Sequence, residues 1–340
     1  MLTSPDLDLL IADTEAEIQR VIEAAEDERT TELYTMARYH LGLDDGAAGG
    51  RGKRLRPLLG LLAYESIAGD HRAALPGAAA VELGHNFSLV HDDIEDRDVE
   101  RRHRATLWKV WGVAQAINAG DTLFTLSRLA LHRLTELGFS DAKVLALLRL
   151  YDETCLALCE GQFMDIWSAE HDELLSVDYY FDMIGRKTAA LIAASVQAGA
   201  LLATDDEQVI EAYRGFGWAL GIAFQLNDDL LGIWGDAQAT GKEPSDLAKH
   251  KKTLPVIYAL ESSVAADAAR LRALISSSAA TPAELAEARA IVERSGAREY
   301  TRQRAHAERE EALRRLESSG VVRGAALERL RLLVTAAISA

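Results

Sequence analysis

Cysteine is nearly absent from this 340-residue chain, which has only Cys155 and Cys159. Four apart in a helical pattern, they are poor ground for a disulfide framework and suit core thiols in a reducing cytosol, so a cytoplasmic location is expected. Proline is scarce as well, at positions 5, 57, 76, 244, 255 and 282, and the stretches between are rich in Ala and Leu. That pattern favours long helices. Alternating β-branched runs bounded by hairpin turns are hard to find, so sheet has little support. Base is outnumbered by acid, 37 Lys and Arg against 53 Asp and Glu, for a net charge of −16. This argues against nucleic acid, whose phosphates select basic surfaces. It leaves diphosphates open, because metal ions reverse the local sign. No targeting segment is read at the N-terminus, where MLTSPDLDLLIADTEAEIQR turns acidic and amphipathic at once. A transmembrane segment is not expected either. The nearest run, TAALIAASVQAGALLAT at 188–204, is short, alanine-rich and interrupted by Gln197, and reads as a buried core helix.

What is present is helical periodicity almost throughout. Helices are expected near 6–42, 54–69, 73–97, 106–136, 140–170, 177–203, 206–233, 252–275 and 282–338, the last broken near 295–296 and 318–320. The loops DDGAAGGRGKR (44–54), GDAQATGKEPSDLAKHKK (235–252) and SSSAATP (276–282) are polar, and none looks like an interdomain linker. The expected fold is all-α, a single large helical domain over residues 1–340.

Two acidic stretches end apolar runs. In LVHDDIED, Asp92, Asp93 and Asp96 fall at 0°, 100° and 40° around a helix, within about a quadrant. Like charges so placed repel, and acids stacked at the end of a buried helix need cations. Oxygen ligands, with no nearby Cys and no His pair at ligand spacing, suggest Mg²⁺ rather than zinc. A solvated helix end is the plain alternative. FQLNDDLLGIWGD repeats the design with Asp228 and Asp229, and a second pair makes two accidental surface turns less tenable. Facing pairs can bracket several Mg²⁺ ions on one diphosphate. Basic residues then sort as phosphate partners: Lys53, Arg54 and Arg56 in GKRLRP, Arg101 and Arg102, Lys187 in GRKTAAL, and Lys242 and Lys251 flanking the second acidic motif. Singly, each is more often a surface residue.

In this order, GKRLRP, HDDIED with ERRHR, GRKTA, FQLNDD and TGK…KKTLP resemble the trans-isoprenyl diphosphate synthases, the farnesyl and geranylgeranyl diphosphate synthase group. The likeness is clearest over residues 50–256. It implies an isoprenoid synthase fold, helices around a deep central cavity, usually dimeric, with three Mg²⁺ ions between two aspartate motifs. It further implies Asp92, Asp96 and Asp228 as metal ligands, supported by Asp93 and Asp229. Arg101, Lys187, Lys242 and Lys251 would hold an allylic diphosphate. Lys53, Arg56, His85 and Arg102 would hold isopentenyl diphosphate, while Thr188 and Gln225 would shield a developing cation. A satisfied core histidine is the plain alternative for His85. One departure stands out: the family's DDxxD reads DDLLG here, with Gly232 in the last place. Asp236 lies about 12 Å farther along the helix axis than Asp228, too far to replace it directly.

Product length in the group follows bulk beneath the first aspartate motif. Phe87, five residues before Asp92, sits about 7.5 Å deeper along the helix. The resemblance therefore implies a C20 product, with C15 or C25 as alternatives, unless Phe87 is plain core. A terpene cyclase of the same fold would lack the second-substrate residues, and a regulatory subunit would lose aspartates of the first motif.

Overall fold

The structure, a computed structural model, describes residues 5–44, 50–171, 175–235, 246–249, 251–276, 280–321 and 324–337. The helices are α1 Pro5–Ala25, α2 Thr31–Leu41, α3 Leu55–Ala68, α4 Leu75–Glu95, α5 Leu107–Trp111, α6 Val113–His132, α7 Asp141–Glu170, α8 Val177–Ile184, α9 Ala190–Ala203 and α10 Glu207–Trp234. Further helices span Leu254–Ser262, Ala265–Ile275, Pro282–Arg294, Ala297–Ser318 and Ala325–Ala337. Among the described residues the sheet content is one antiparallel ladder, β1 Glu100–Arg101 with β2 Arg104–Ala105. The all-α expectation holds.

Four expected helices are interrupted: the 252–275 segment breaks at Ser263-Val264, both extended, and the other three break for local reasons. The 6–42 segment breaks at the polar run EDERT (26–30), where Asp27 accepts from the Arg29 and Thr30 amides and Tyr34 donates to Ala25 O at 2.7 Å. The 106–136 segment breaks at Gly112, whose φ of +82° and ψ of 160° exclude helix. The 177–203 segment contains a π turn, Gly185–Ala189. Toward the C-terminus the breaks fall where expected, and Thr281 with Glu284 forms a capping box that starts Pro282–Arg294.

The chain clusters into two compact units, residues 1–153, 194–213 and 320–330 in the first and 154–193, 214–319 and 331–340 in the second. In the first, α4 lies among α1, α3 and α6, burying Ala79, Ala80 and Leu83 with Leu59, Leu62, Ala119 and Leu123. In the second, Tyr180, Ile184, Ala189, Ile222, Leu226, Leu254 and Ile257 form a core, and Ile233, Val256, Leu271, Ile291 and Val292 another. Each fully buried aliphatic or aromatic side chain contributes about 1.5–3 kcal/mol. Among the described residues no helix is long and apolar enough to cross a membrane.

Candidate active site

In the first unit, α4 is largely buried up to Val90 and ends at Glu95, which places Asp92 and Asp93 in its last turn. Asp96 is the C-cap, and its N–H donates to Asp92 O at 2.8 Å. A helix C-terminus carries partial negative charge, so three carboxylates gathered there call for cations. Arg101 supplies one, its Nε donating to Asp93 Oδ1 at 2.7 Å. Asp93 is buried and its other oxygen, Oδ2, has no partner. Burial pushes its carboxyl up to about 6, against the pull of Arg101 and with help from Asp98 and Asp96. These are hard oxygen donors, the type Mg²⁺ prefers, although among the described residues no three acidic, His or Cys side chains converge closely enough to form a metal-binding group as they stand.

The ladder after α4 turns the chain back through Arg102 and His103, at φ +52° and +62°. Two positive φ values make a type I′ turn, which normally selects Asn-Gly. Side chains of this size there cost about 1–3 kcal/mol each, so the surroundings must enforce the turn. Thr106 N donates to Val99 O at 3.1 Å, and Thr106 Oγ1 and Trp108 Nε1 both donate to Asp98 O. The result aims Arg101 at Asp93 and Arg102 at the glycine loop. An ideal Cβ on Gly52 would stand 2.9 Å from Arg102 Cζ, so a side chain there would push the guanidinium from this position.

GKRLRP divides its labour. Arg54 is fully buried, ion-paired with Glu15 at 3.1 Å and Glu82 at 2.7 Å and donating to Leu41 O at 2.6 Å. It belongs to the framework, not to phosphate as its place in the motif suggests. Lys53 is exposed. Arg56 Nη1 lies 3.0 Å from His85 Nε2, and its Nε is buried without a partner. Burial and the Arg56, Arg102 and Arg101 charges hold His85 well below its usual range, so it is neutral and accepts from Arg56. Burial also lowers Arg56 to about 10 and lowers Arg102, with Glu82 the main carboxylate opposing both shifts. That carboxylate is already engaged by Arg54 and by Asn86 Nδ2 at 3.0 Å. Desolvated cations left short of counter-charge are suited to receive an anion.

In the second unit, the π turn gathers Lys187 and Thr188. An ideal Cβ on Gly161 would overlap the Lys187 amide nitrogen, so glycine lets α7 and the turn touch. π turns of this kind concentrate at functional sites. Lys187 Nζ pairs with Asp165 Oδ2 at 2.6 Å. Thr188 Oγ1 donates to Gln225 Oε1 at 2.9 Å, and Gln225 Nε2 donates to Asp229 Oδ1 at 3.1 Å. Asp229 also accepts from Tyr180 Oη and from Leu254 N. Burial raises its carboxyl to about 7 despite those donors. Asp229 thus orients Gln225 and Tyr180, while Asp228 beside it faces solvent.

At Gly232, an ideal Cβ would overlap the Asp246 carboxylate, and Asp246 N donates to Gly232 O at 3.2 Å. The place of the missing motif aspartate therefore adjoins a carboxylate from the following loop. Lys251 is exposed, and its N–H donates to Asp246 O at 2.9 Å. Lys242 and Asp236 lie outside the described residues. Sequence reasoning missed Glu82, Asp165, Tyr180 and Asp246. For Asp246 the loop's SDL preceding KHKK was a usable signal; the others are ordinary helix residues whose partners are distant in sequence.

Residues 44–292 match the polyprenyl synthetase family. A geranylgeranyl diphosphate synthase of Mycobacterium tuberculosis is 42% identical over 293 residues, covering 84% of this chain and 82% of the relative. A (2E,6E)-farnesyl diphosphate synthase of Mycobacterium bovis is 43% identical over 272 residues, 77% of this chain and 74% of the relative. The crystal structure of a polyprenyl synthetase from Streptomyces coelicolor A3(2) superposes with a TM-score of 0.83 at 38% identity, covering 98% of each chain. The chain belongs to the polyprenyl synthetase family and is a trans-prenyltransferase.

Proposed function

We propose that this enzyme condenses isopentenyl diphosphate with an allylic prenyl diphosphate in a Mg²⁺-dependent reaction, giving geranylgeranyl diphosphate. The carrying observation is the anion site of Arg56, His85 and Arg102, with its buried, unpartnered Nε. A cyclase acts on one diphosphate and has no use for a second such site.

By the family resemblance Asp92, Asp96 and Asp228 would be the ligands of Mg²⁺, three ions in all, with Asp93 and Asp229 fixing the surrounding chain. When bound, Mg²⁺ neutralises the diphosphate leaving group as a Lewis acid. Lys187, Arg101, Lys242 and Lys251 grip the allylic diphosphate. Thr188 and Gln225 turn oxygen dipoles toward the allylic cation as the C–O bond breaks. Lys53, Arg56, Arg102 and neutral His85 hold isopentenyl diphosphate so that its double bond attacks that cation. The departing proton goes to the released diphosphate, so no side-chain nucleophile is needed.

Phe87, with its ring against Phe124 at 5.1 Å, is the floor that stops the chain at C20. Relatives named for both C20 and C15 products keep C15 as the second reading. The test is incubation with Mg²⁺, isopentenyl diphosphate and each of the C5, C10 and C15 allylic diphosphates, with products sized after dephosphorylation. A dominant C20 product supports the reading, and a dominant C15 or C25 product replaces it.

We further propose a homodimer in the cytoplasm. Leu156, Phe163 and Trp167 form an exposed stripe on α7, at 61%, 62% and 43% exposure, which a second copy would cover. Both cysteines are free thiols, in keeping with a reducing compartment, but only Cys155 is a core thiol as expected; Cys159 is exposed. Sedimentation at micromolar concentration tests the dimer; a monomer would refute it.

A further inference from the structure

Phe87 does not stand alone beneath the first aspartate motif. Phe124 of α6 lies edge-on to it, and Phe124 in turn stacks on Tyr151 of α7 with centroids 6.3 Å apart. One turn below Phe87 on the same helix is Gly84, which has no side chain. An ideal Cβ there would overlap the Tyr151 hydroxyl and stand 2.9 Å from its Cζ and 3.0 Å from its Cε2. Packed carbon atoms keep about 3.5–4.0 Å. Tyr151 therefore fills the space that Gly84 leaves open. Its ring is buried, and its hydroxyl lies 2.5 Å from Ser127 Oγ. Ser127 is fully buried and donates its own hydrogen to Phe124 O, which leaves its lone pairs for the Tyr151 O–H.

We propose that Tyr151 is a second specificity-determining residue for product length, a floor one tier below Phe87 that Ser127 latches in place. The inference rests on the reading above, in which the prenyl chain grows beneath the first aspartate motif. Gly84 and Phe87 are separated by three residues, about 4.5 Å of helix rise. Four carbon–carbon bonds of about 1.5 Å, zigzagged, advance about 5 Å, the length of one prenyl unit. A chain that passes position 87 gains about one five-carbon unit before it meets the Tyr151 ring. A side chain both packed and hydrogen-bonded does not swing aside freely, because leaving Ser127 forfeits a buried bond.

The test is product length in a variant series, with helical content checked by circular dichroism. Phe87→Ala gives products one five-carbon unit longer than wild type. Tyr151→Ala alone leaves length unchanged, since Phe87 still blocks. Phe87→Ala with Tyr151→Ala adds at least one further unit. Gly84→Leu placed in that double variant returns the length to that of Phe87→Ala, because α4 now supplies the bulk that α7 lost. This refilled variant also guards against a collapse of the emptied core. A folded double variant whose products match those of Phe87→Ala overturns the proposal, as does failure of Gly84→Leu to shorten them. No elongation by wild type overturns both this inference and the function on which it rests.

Discussion

At the scale of single residues, charge left uncompensated on burial marks the working groups. Arg56 is the clearest case, with one nitrogen against neutral His85 and another unpartnered. A hydrogen bond to a charged group is worth about 1.5–3 kcal/mol, or about 10–100-fold in affinity. Arg56→Gln is therefore expected to raise KM for isopentenyl diphosphate by that factor while leaving KM for the allylic substrate within about twofold. Steady-state kinetics with each substrate varied in turn decides it, and an equal rise in both would place Arg56 elsewhere. His40 carries a different signal. Burial, reinforced by Arg102, Arg101 and Arg54, lowers it from 6.5 to about 3. The folded chain keeps this imidazole neutral where the unfolded chain protonates it. Its contribution to stability is complete above pH 6.5 and shrinks as the pH falls toward 3, with about 2 kcal/mol lost at pH 5. The raised carboxyls of Asp93 and Asp229 act in the opposite sense, so the whole-chain curve blends these effects. In metal-free buffer, His40→Gln should lose less stability than wild type between pH 7.5 and pH 5. Urea midpoints at the two pH values measure the difference, and equal losses would contradict it. The aspartates and site arginines were legible in the sequence because motif spacing carries them. The fate of Arg54 was not, since it depends on Glu15 and Glu82, 39 and 28 residues away.

Among elements, periodicity located the helices and, outside the C-terminal breaks, missed the interruptions within them. Apolar repeats announced α4 and α10 because their buried faces are long. The break at Gly112 and the π turn at 185–189 depend on one residue's backbone or on a close neighbour, which periodicity does not register. The ladder at Glu100–Ala105 escaped for a similar reason, since Arg102-His103 is not a turn sequence by composition. Gly232 shows the same limit. As sequence it is a motif lacking its last ligand; as structure it adjoins the Asp246 carboxylate. Gly232→Asp restores the family pattern on paper and crowds that carboxylate in fact. Overpacking of this kind costs about 1–3 kcal/mol, and like charge adds to it. The variant should melt lower than wild type and turn over more slowly. Equal or higher activity at unchanged melting temperature would show that Asp246 yields easily.

Across the whole molecule, an acidic chain that handles acidic substrates needs its cations concentrated. With 53 Asp and Glu against 37 Lys and Arg, general attraction is not available. Arg56, Arg101 and Arg102 gather in the first unit, and Lys187 sits on the π turn of the second. Fold class was readable from composition and helical periodicity, whereas family membership needed the motifs in order. The central claim is that two diphosphates are joined, and the most direct measurement is consumption of a labelled allylic diphosphate with and without isopentenyl diphosphate, in Mg²⁺ and in chelator. The expected result is rapid consumption only when Mg²⁺ and isopentenyl diphosphate are both present, with the label recovered in a diphosphate longer by five-carbon units. Equal consumption without isopentenyl diphosphate, with label in a cyclic hydrocarbon or an alcohol, would contradict it.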